Sequence, residues 1–351
     1  MRLRVYLIVS VFLFFVSCSK ENVQQPGTPG PDLSGITKLM NDSVASRFGG
    51  NAYVAIKVGD KLIYEKSYGG YDGNTVQFIA SCSKWLSVAL VMTQVDEGKL
   101  SLADTVGKFL PVFSARGKGG MTIRQLLSHT SGFPGQSARG YEREFGLSLA
   151  ESVDSIALRV PLVNVPGTFF DYGEVSMQVA GRIAELVSGK NWNALFNEKI
   201  GQPCGMASTS YGLGINPIIG GGAKSSPNDY LKFLSMILNK GSILGKRVLS
   251  EAAVDAMERS QIGTADLSFS PYPPALLSTR GIYGLGLWRD LTGAGDQLIE
   301  ASSPGLFGTH PWINRDQKLT AIVFTFIAGN GFVSTLPTCV SIRMLIRSLI
   351  K

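Results

Sequence analysis

A chain of 351 residues, 44% of them hydrophobic and 17% charged, has enough apolar material to bury a large core and enough length for two domains, which argues against a disordered or fibrous polymer. Its 33 Lys and Arg against 26 Asp and Glu leave a mild positive excess with no basic cluster interleaved with aromatics, so nucleic acid is not an expected partner. Two histidines without metal-ligand spacing, and no Gly-x-Ser-x-Gly turn, argue against a zinc centre and a histidine triad, and no cofactor is implied.

Arg2 and Arg4 precede the uncharged run Val5 to Ser19, which contains Phe15-Val16-Ser17-Cys18. That is the pattern of a secretion signal over residues 1–17, and the run is shorter than the roughly 20 apolar residues a comfortable membrane span requires. A small residue before Cys18 resembles a lipoprotein cleavage box, although Phe15 stands where leucine is usual. The expectation is lipidation at Cys18, a membrane anchor and a cell-envelope location, periplasmic or at the outer membrane. A plain signal peptide or an uncleaved anchor is the alternative. Residues 18–32 form a polar tether with Pro and Gly.

Leu33 to Phe48 has a helical period, and Ala52 to Lys57 with Lys61 to Ser67 alternates about Gly59-Asp60 as a hairpin. From Trp85 to Val95 no residue is charged and the apolar side chains lie all round the wheel, which marks a buried helix ending near Gly98. Ser81 stands at its start and Lys84 in its first turn, on the same face. A lysine is costly there unless it is paired or its pKa falls, and a lysine with a lowered pKa can take a proton. Ser-x-x-Lys at a helix start therefore reads as an activated nucleophile. The plainer reading makes Ser81 an N-cap and Lys84 a snorkelling side chain. Ser17-Cys18-Ser19-Lys20 repeats the tetrapeptide without a helix behind it, so context must decide.

Helical segments follow at about 121–128, 148–158, 175–188, 191–199, 227–239 and 250–258, with Thr122, Ser226 and Ser250 as caps. Extended segments resume at Gly284 to Arg289, Gln297 to Ala301, Leu306 to Ile313 and Leu319 to Phe326, before a last helix from about Thr338. The predicted fold is α/β of the α+β type. One antiparallel sheet is drawn from 33–80 and 266–351, flanked by the first and last helices, and an all-helical domain, 81–265, is inserted. Cys82, Cys204 and Cys339 read as packing residues, with Cys204 and Cys339 the one pair open to oxidation.

Met121-Thr122-Ile123-Arg124-Gln125-Leu126-Leu127-Ser128-His129-Thr130-Ser131-Gly132 resembles a signature of the class C β-lactamase-like serine hydrolases, a superfamily of lactamases, D-Ala-D-Ala peptidases and esterases. Pro166-Gly167 with Phe170 and Tyr172, Ile200 to Met206, Gly221 to Tyr230 and Tyr283 to Trp288 resemble further family stretches in the same order. The resemblance implies a β-lactamase/transpeptidase-like fold, with Ser81, Lys84 and Tyr172 as the catalytic trio and the backbone amides of Ser81 and Leu306 as the oxyanion hole. His129 reads instead as a hydrogen-bonded structural residue. Two departures stand out. Where the family has Tyr-x-Asn, this chain has Tyr172-Gly173-Glu174. Glu174 either points into the site and holds Lys84 protonated, or lies solvated at a helix start. Where the family has a Lys or His followed by Thr/Ser and Gly, this chain has Ser303-Pro304-Gly305, which lacks the cation that grips a substrate carboxylate. Glu174, Ser303 and Gly305 are the expected substrate-binding residues. The implied function is an acyl-enzyme hydrolase of a small ester or amide. The alternatives are D-Ala-D-Ala peptidase or β-lactamase activity on peptidoglycan-like substrates, and a non-catalytic binding module of the same fold.

Overall fold

A computed structural model describes residues 30–212, 214–272 and 282–350. Residues 1–17 and Cys18 lie outside the described residues, as does most of the tether.

Helix α1 (Ser34–Arg47) leads into the hairpin β1 (Ala52–Val58) and β2 (Lys61–Tyr68). A buried helix α2 (Ser83–Asp96) follows, and then a helical stretch with α3 (Ile123–Leu127), α4 (Leu149–Arg159), α5 (Val175–Ser188), α6 (Pro227–Leu238) and α7 (Glu251–Glu258). Strands β3 (Trp288–Thr292), β4 (Leu298–Ser302), β5 (His310–Asn314) and β6 (Leu319–Phe324) precede the last helix α8 (Gly331–Leu349). The six strands form one antiparallel sheet in the order β3-β4-β5-β6-β1-β2, so the early hairpin closes against the late strands through β1 and β6.

Strand periodicity sorts the sheet's two faces. Val54 and Ile56 of β1 join Ala321 and Val323 of β6 under Ile36 and Met40 of α1 and Ile342 and Ile346 of α8. Their neighbours Tyr53, Ala55, Ile322 and Phe324 face the other way, into a core that runs without a break through α2 into the helical stretch. The helices start where their caps predict: the side chains of Thr122, Ser226 and Ser250 accept from Gln125, Asp229 and Ala253 amides.

Three expectations need correcting. Strand β3 begins at Trp288, and Gly284 to Leu287 lie outside it, because Gly284 packs so closely on Met257 that a Cβ would stand 2.0 Å from its carbonyl oxygen. Leu306 lies in a turn and β5 starts only at His310, the Gly308 amide reaching back to the Gly305 carbonyl at 2.9 Å. Helix α8 starts at Gly331 rather than Thr338: Asn330 caps it, and Pro337 sits inside the helix, which proline's missing N–H argues against from sequence.

Candidate active site

The chain reaches Ser81 from the short strand Gln77–Phe78, which pairs with Ala223–Ser225. The Ile79 amide extends that ladder to the Ala223 carbonyl at 3.0 Å. Ala80 then takes a φ of 45°, a left-handed conformation alanine rarely adopts, and Ala80–Cys82 form a 3₁₀ turn ahead of α2. Side chains from distant segments brace this turn by its carbonyls. Tyr230 donates to Cys82 at 2.7 Å, Tyr211 to Ser83 at 3.2 Å and Ser303 to Ser81 at 3.2 Å. The Ser81 side chain caps neither the turn nor the helix, so the N-cap reading fails.

Lys84 is 1% exposed. Its Nζ donates to Ser81 Oγ at 3.1 Å and to the Gly220 carbonyl at 2.9 Å. Burial brings its pKa down to about 8, while the Glu174 carboxylate pulls the other way. The ammonium also stands 4.6 Å from the centre of the Tyr172 ring. The Tyr172 ring packs 5.1 Å from that of Trp288, and burial pushes its phenol well above the ordinary range, so it is present as a phenol at neutral pH. Ser81, Lys84 and Tyr172 are thus brought together.

Glu174 settles between its two readings in favour of the interior. A Cβ at Gly220 would lie 3.3 Å from Lys84 Nζ and 3.0 Å from Glu174 Cγ, so the two side chains face each other across that glycine. A Cβ at Gly221 would stand 2.7 Å from Glu174 Oε1, and the bare backbone at both positions gives the carboxylate its room. Burial raises the pKa of this carboxyl, against the opposing pull of Lys84 and Arg143.

The three residues expected at the third motif separate. Gly305 packs against the nucleophile turn so closely that a Cβ would be 2.3 Å from the Ile79 carbonyl oxygen, which brings the Gly305-Leu306 peptide beside Ser81. Leu306 is 48% exposed and lines both clefts at the site. Ser303, expected to meet substrate, is buried, and its hydroxyl points at the carbonyls of Ser81 and Gly286. Its hydroxyl is thus spent on the protein's own backbone, bracing the turn. His129 also departs from expectation. Its φ of 57° turns the ring into a cage of Phe170, Tyr172 and Tyr283, and among the described residues neither ring nitrogen has a hydrogen-bond partner. Burial holds its pKa well below the usual value, so the ring is neutral. Cys82, Cys204 and Cys339 are all free and buried.

Two clefts flank Leu306. One, of about 330 Å³, is walled by Phe78, Phe145, Ile218, Phe307 and Phe326, with Glu174 and Arg143 as the only ionisable lining residues among those described. The other, of about 90 Å³, lies between Tyr172, Tyr272, Trp288, Pro304 and Phe332. Sequence reasoning missed Arg143, Phe145 and the Gly220 carbonyl, none of which stands in a recognisable stretch. Trp288 stood in a recognisable stretch but without a role. Among the described residues no group of His, Cys, Asp and Glu side chains is arranged to hold a metal.

A six-stranded antiparallel sheet, a long helical stretch between its early and late strands, and a serine and lysine in contact at the start of a buried helix are the arrangement of the serine β-lactamase/transpeptidase-like fold. Residues 37–334 match the β-lactamase family, and the chain belongs to it. A solved structure of a candidate β-lactamase from Bacteroides dorei superposes with a TM-score of 0.84 at 30% identity, covering 91% of this chain and 99% of that one. Protein Rv1367c of Mycobacterium tuberculosis is 27% identical over 316 residues, covering 72% of this chain and 77% of its own. A candidate D-alanyl-D-alanine carboxypeptidase of Escherichia coli K12 is 27% identical over 192 residues, covering 46% of this chain and 42% of its own.

Proposed function

We propose that this protein hydrolyses a small uncharged or cationic ester or amide through an acyl-enzyme on Ser81. The observation that carries the reading is the 3.1 Å contact between Lys84 Nζ and Ser81 Oγ, with the lysine pKa near 8. Such a lysine is neutral often enough near neutral pH to accept the serine proton. Ser81 Oγ attacks the substrate carbonyl as its proton passes to Lys84. The carbonyl oxygen's negative charge falls toward the amides of Ser81 and Leu306. Collapse breaks the bond to the alcohol or amine, which takes the proton by way of the Tyr172 phenol. Water then repeats the sequence on the acyl group. With Leu306 shared between the two clefts, the larger receives one side of the scissile bond and the smaller the other.

Peptidase action on D-Ala-terminated stems, the activity for which the E. coli relative is a candidate, and penicillin hydrolysis both require a grip on a carboxylate. Here Ser303 faces inward and Glu174 opposes an anion, so neutral donors are favoured. A purely binding role is disfavoured by the intact trio. We further propose that the chain is exported and anchored through a lipid on Cys18.

Intact-mass spectrometry after incubation with activated esters, fluorophosphonates and β-lactams tests the mechanism. A single adduct is expected, absent from Ser81→Ala, and more rapidly formed from neutral esters than from penicillins. An adduct that persists in Ser81→Ala refutes the assignment.

A further inference from the structure

The larger cleft holds a carboxylate oxygen that no hydrogen bond from the described residues satisfies. Glu174 Oε2 is buried and among the described residues has no hydrogen-bond partner. Its nearest cation is Arg143, whose Nε stands 3.6 Å away, beyond hydrogen-bond distance, and equally 3.6 Å from Glu142 Oε1. Arg143 is half exposed and shared between two carboxylates. Glu142 is otherwise satisfied, its oxygens accepting from the amide and hydroxyl of Ser137. Glu174 is not, and a buried charged acceptor left without a donor is expensive.

We propose that this cleft is a subsite for a protonated amine, and that the acyl donor this enzyme turns over carries an ammonium group which donates to Glu174. The inference rests on the acyl-enzyme reading and adds the substrate class. Apart from Glu174 and Arg143, the described residues of the lining offer apolar and backbone surface, much of it aromatic: Phe78, Phe145, Phe307 and Phe326. Such walls suit an alkylammonium ion, whose stem is apolar and whose charge is attracted by ring faces.

The charge balance of the catalytic step points the same way. Facing Glu174 are Lys84 from α2 and Arg143 and Glu142 from the preceding 3₁₀ turn Tyr141–Arg143. Facing Lys84 are Glu174, the Cys82 thiol, the Tyr172 phenol and the neutral ring of His129. To act as a base Lys84 must give up its charge, and that leaves two carboxylates against one half-exposed guanidinium. A substrate ammonium restores the balance at the moment it is needed. By the same Coulomb interaction it offsets the pull of Glu174 on Lys84, so a bound cation makes the lysine a free base at lower pH. A neutral amide N–H would satisfy the hydrogen bond without supplying the charge.

The test uses the full chain with p-nitroanilides of straight acyl groups three to six carbons long, ending in ammonium, acetamido or methyl. At one chain length or more, the ammonium compound is expected to exceed its methyl counterpart by about tenfold in kcat/KM, equivalent to ~1.4 kcal/mol. That advantage should vanish in Glu174→Gln, and the rising limb of the pH profile should lie lower for the ammonium compound. An enzyme whose Ser81 is acylated but which shows no ammonium preference at any length overturns the inference alone. So does a preference that survives in Glu174→Gln, or acetamido compounds that match ammonium ones. Failure of every compound, fluorophosphonate included, to modify Ser81 overturns the acyl-enzyme reading and the inference together.

Discussion

Gly305→Ala probes the seat of the reaction without touching a catalytic side chain. A Cβ at this position would lie 2.3 Å from the Ile79 carbonyl oxygen, 3.2 Å from its carbon and 3.1 Å from Cys82 Sγ. Non-bonded heavy atoms are comfortable at about 3.5 Å, so the Gly305-Leu306 segment and the nucleophile turn must part by about 1 Å. Neither side can yield cheaply. The turn is tied by its carbonyls to Tyr230, Tyr211 and Ser303, and the Gly305 amide is bonded to the Thr309 carbonyl at 2.8 Å. Overpacking of this kind costs about 1–3 kcal/mol of stability, and a displacement of about 1 Å at the reacting carbonyl lowers the rate about 10²-fold. The assay is the second-order rate of fluorophosphonate labelling at Ser81, with thermal unfolding measured alongside. Gly120→Ala is the control, since nothing lies within 4 Å of its Cβ and it should leave both quantities unchanged. A Gly305→Ala protein that labels within twofold of native would refute the close approach and the oxyanion site built on it.

Two further outcomes are expected. Because only neutral Lys84 accepts the serine proton and its pKa lies near 8, labelling should rise about tenfold per pH unit below about 7 and level off above about 9; a rate flat from pH 6 to 10 would remove Lys84 as the base. The full-length protein should partition into detergent and its Cys18→Ser variant should remain aqueous, whereas identical aqueous behaviour of both would discard the lipid anchor.

The helices and sheet were legible because their signals are local. Caps at Thr122, Ser226 and Ser250 and the two-residue alternation of β1 mark boundaries and faces that a few neighbouring residues decide. The trio was legible only in part: Ser81 and Lys84 follow from a charge placed on an apolar helix, but Tyr172 came from resemblance. What escaped is whatever depends on tertiary closeness. Nothing in the spelling of residues 302–306 tells that Ser303 turns inward, since that follows from the fit of Gly305 against Ile79. The start of α8 was misplaced because Pro337 signals a break locally, while Asn330 and the packing of Gly331 against Phe307 carry the helix through it. His129 was expected to be hydrogen-bonded because polarity is written in the sequence, whereas the aromatic cage around it is assembled from residues 170, 172 and 283.

The lowered pKa of Lys84 has a stability counterpart that can be measured apart from activity. In the unfolded chain this lysine holds its proton up to its ordinary value of 10.5, and in the folded protein it releases it near 8. Between those values the unfolded state binds the extra proton, so native stability rises with pH there, and below about 8 the folded protein carries the full penalty of a buried ammonium. The shift corresponds to roughly 3 kcal/mol. Lys84→Met keeps most of the side-chain volume and removes the charge, at the cost of about 1 kcal/mol or more for leaving the Gly220 carbonyl without its donor. The variant should be inactive. Its stability relative to native, from urea unfolding, should be greatest below pH 8 and should fall by about 3 kcal/mol as the pH is raised to about 10.5, because only the native protein gains there. Taking the difference at each pH cancels every other titration the two proteins share. A difference that stays constant from pH 7 to 10.5 would mean that Lys84 keeps an ordinary pKa in the folded protein, and the base would then have to be sought elsewhere around Ser81.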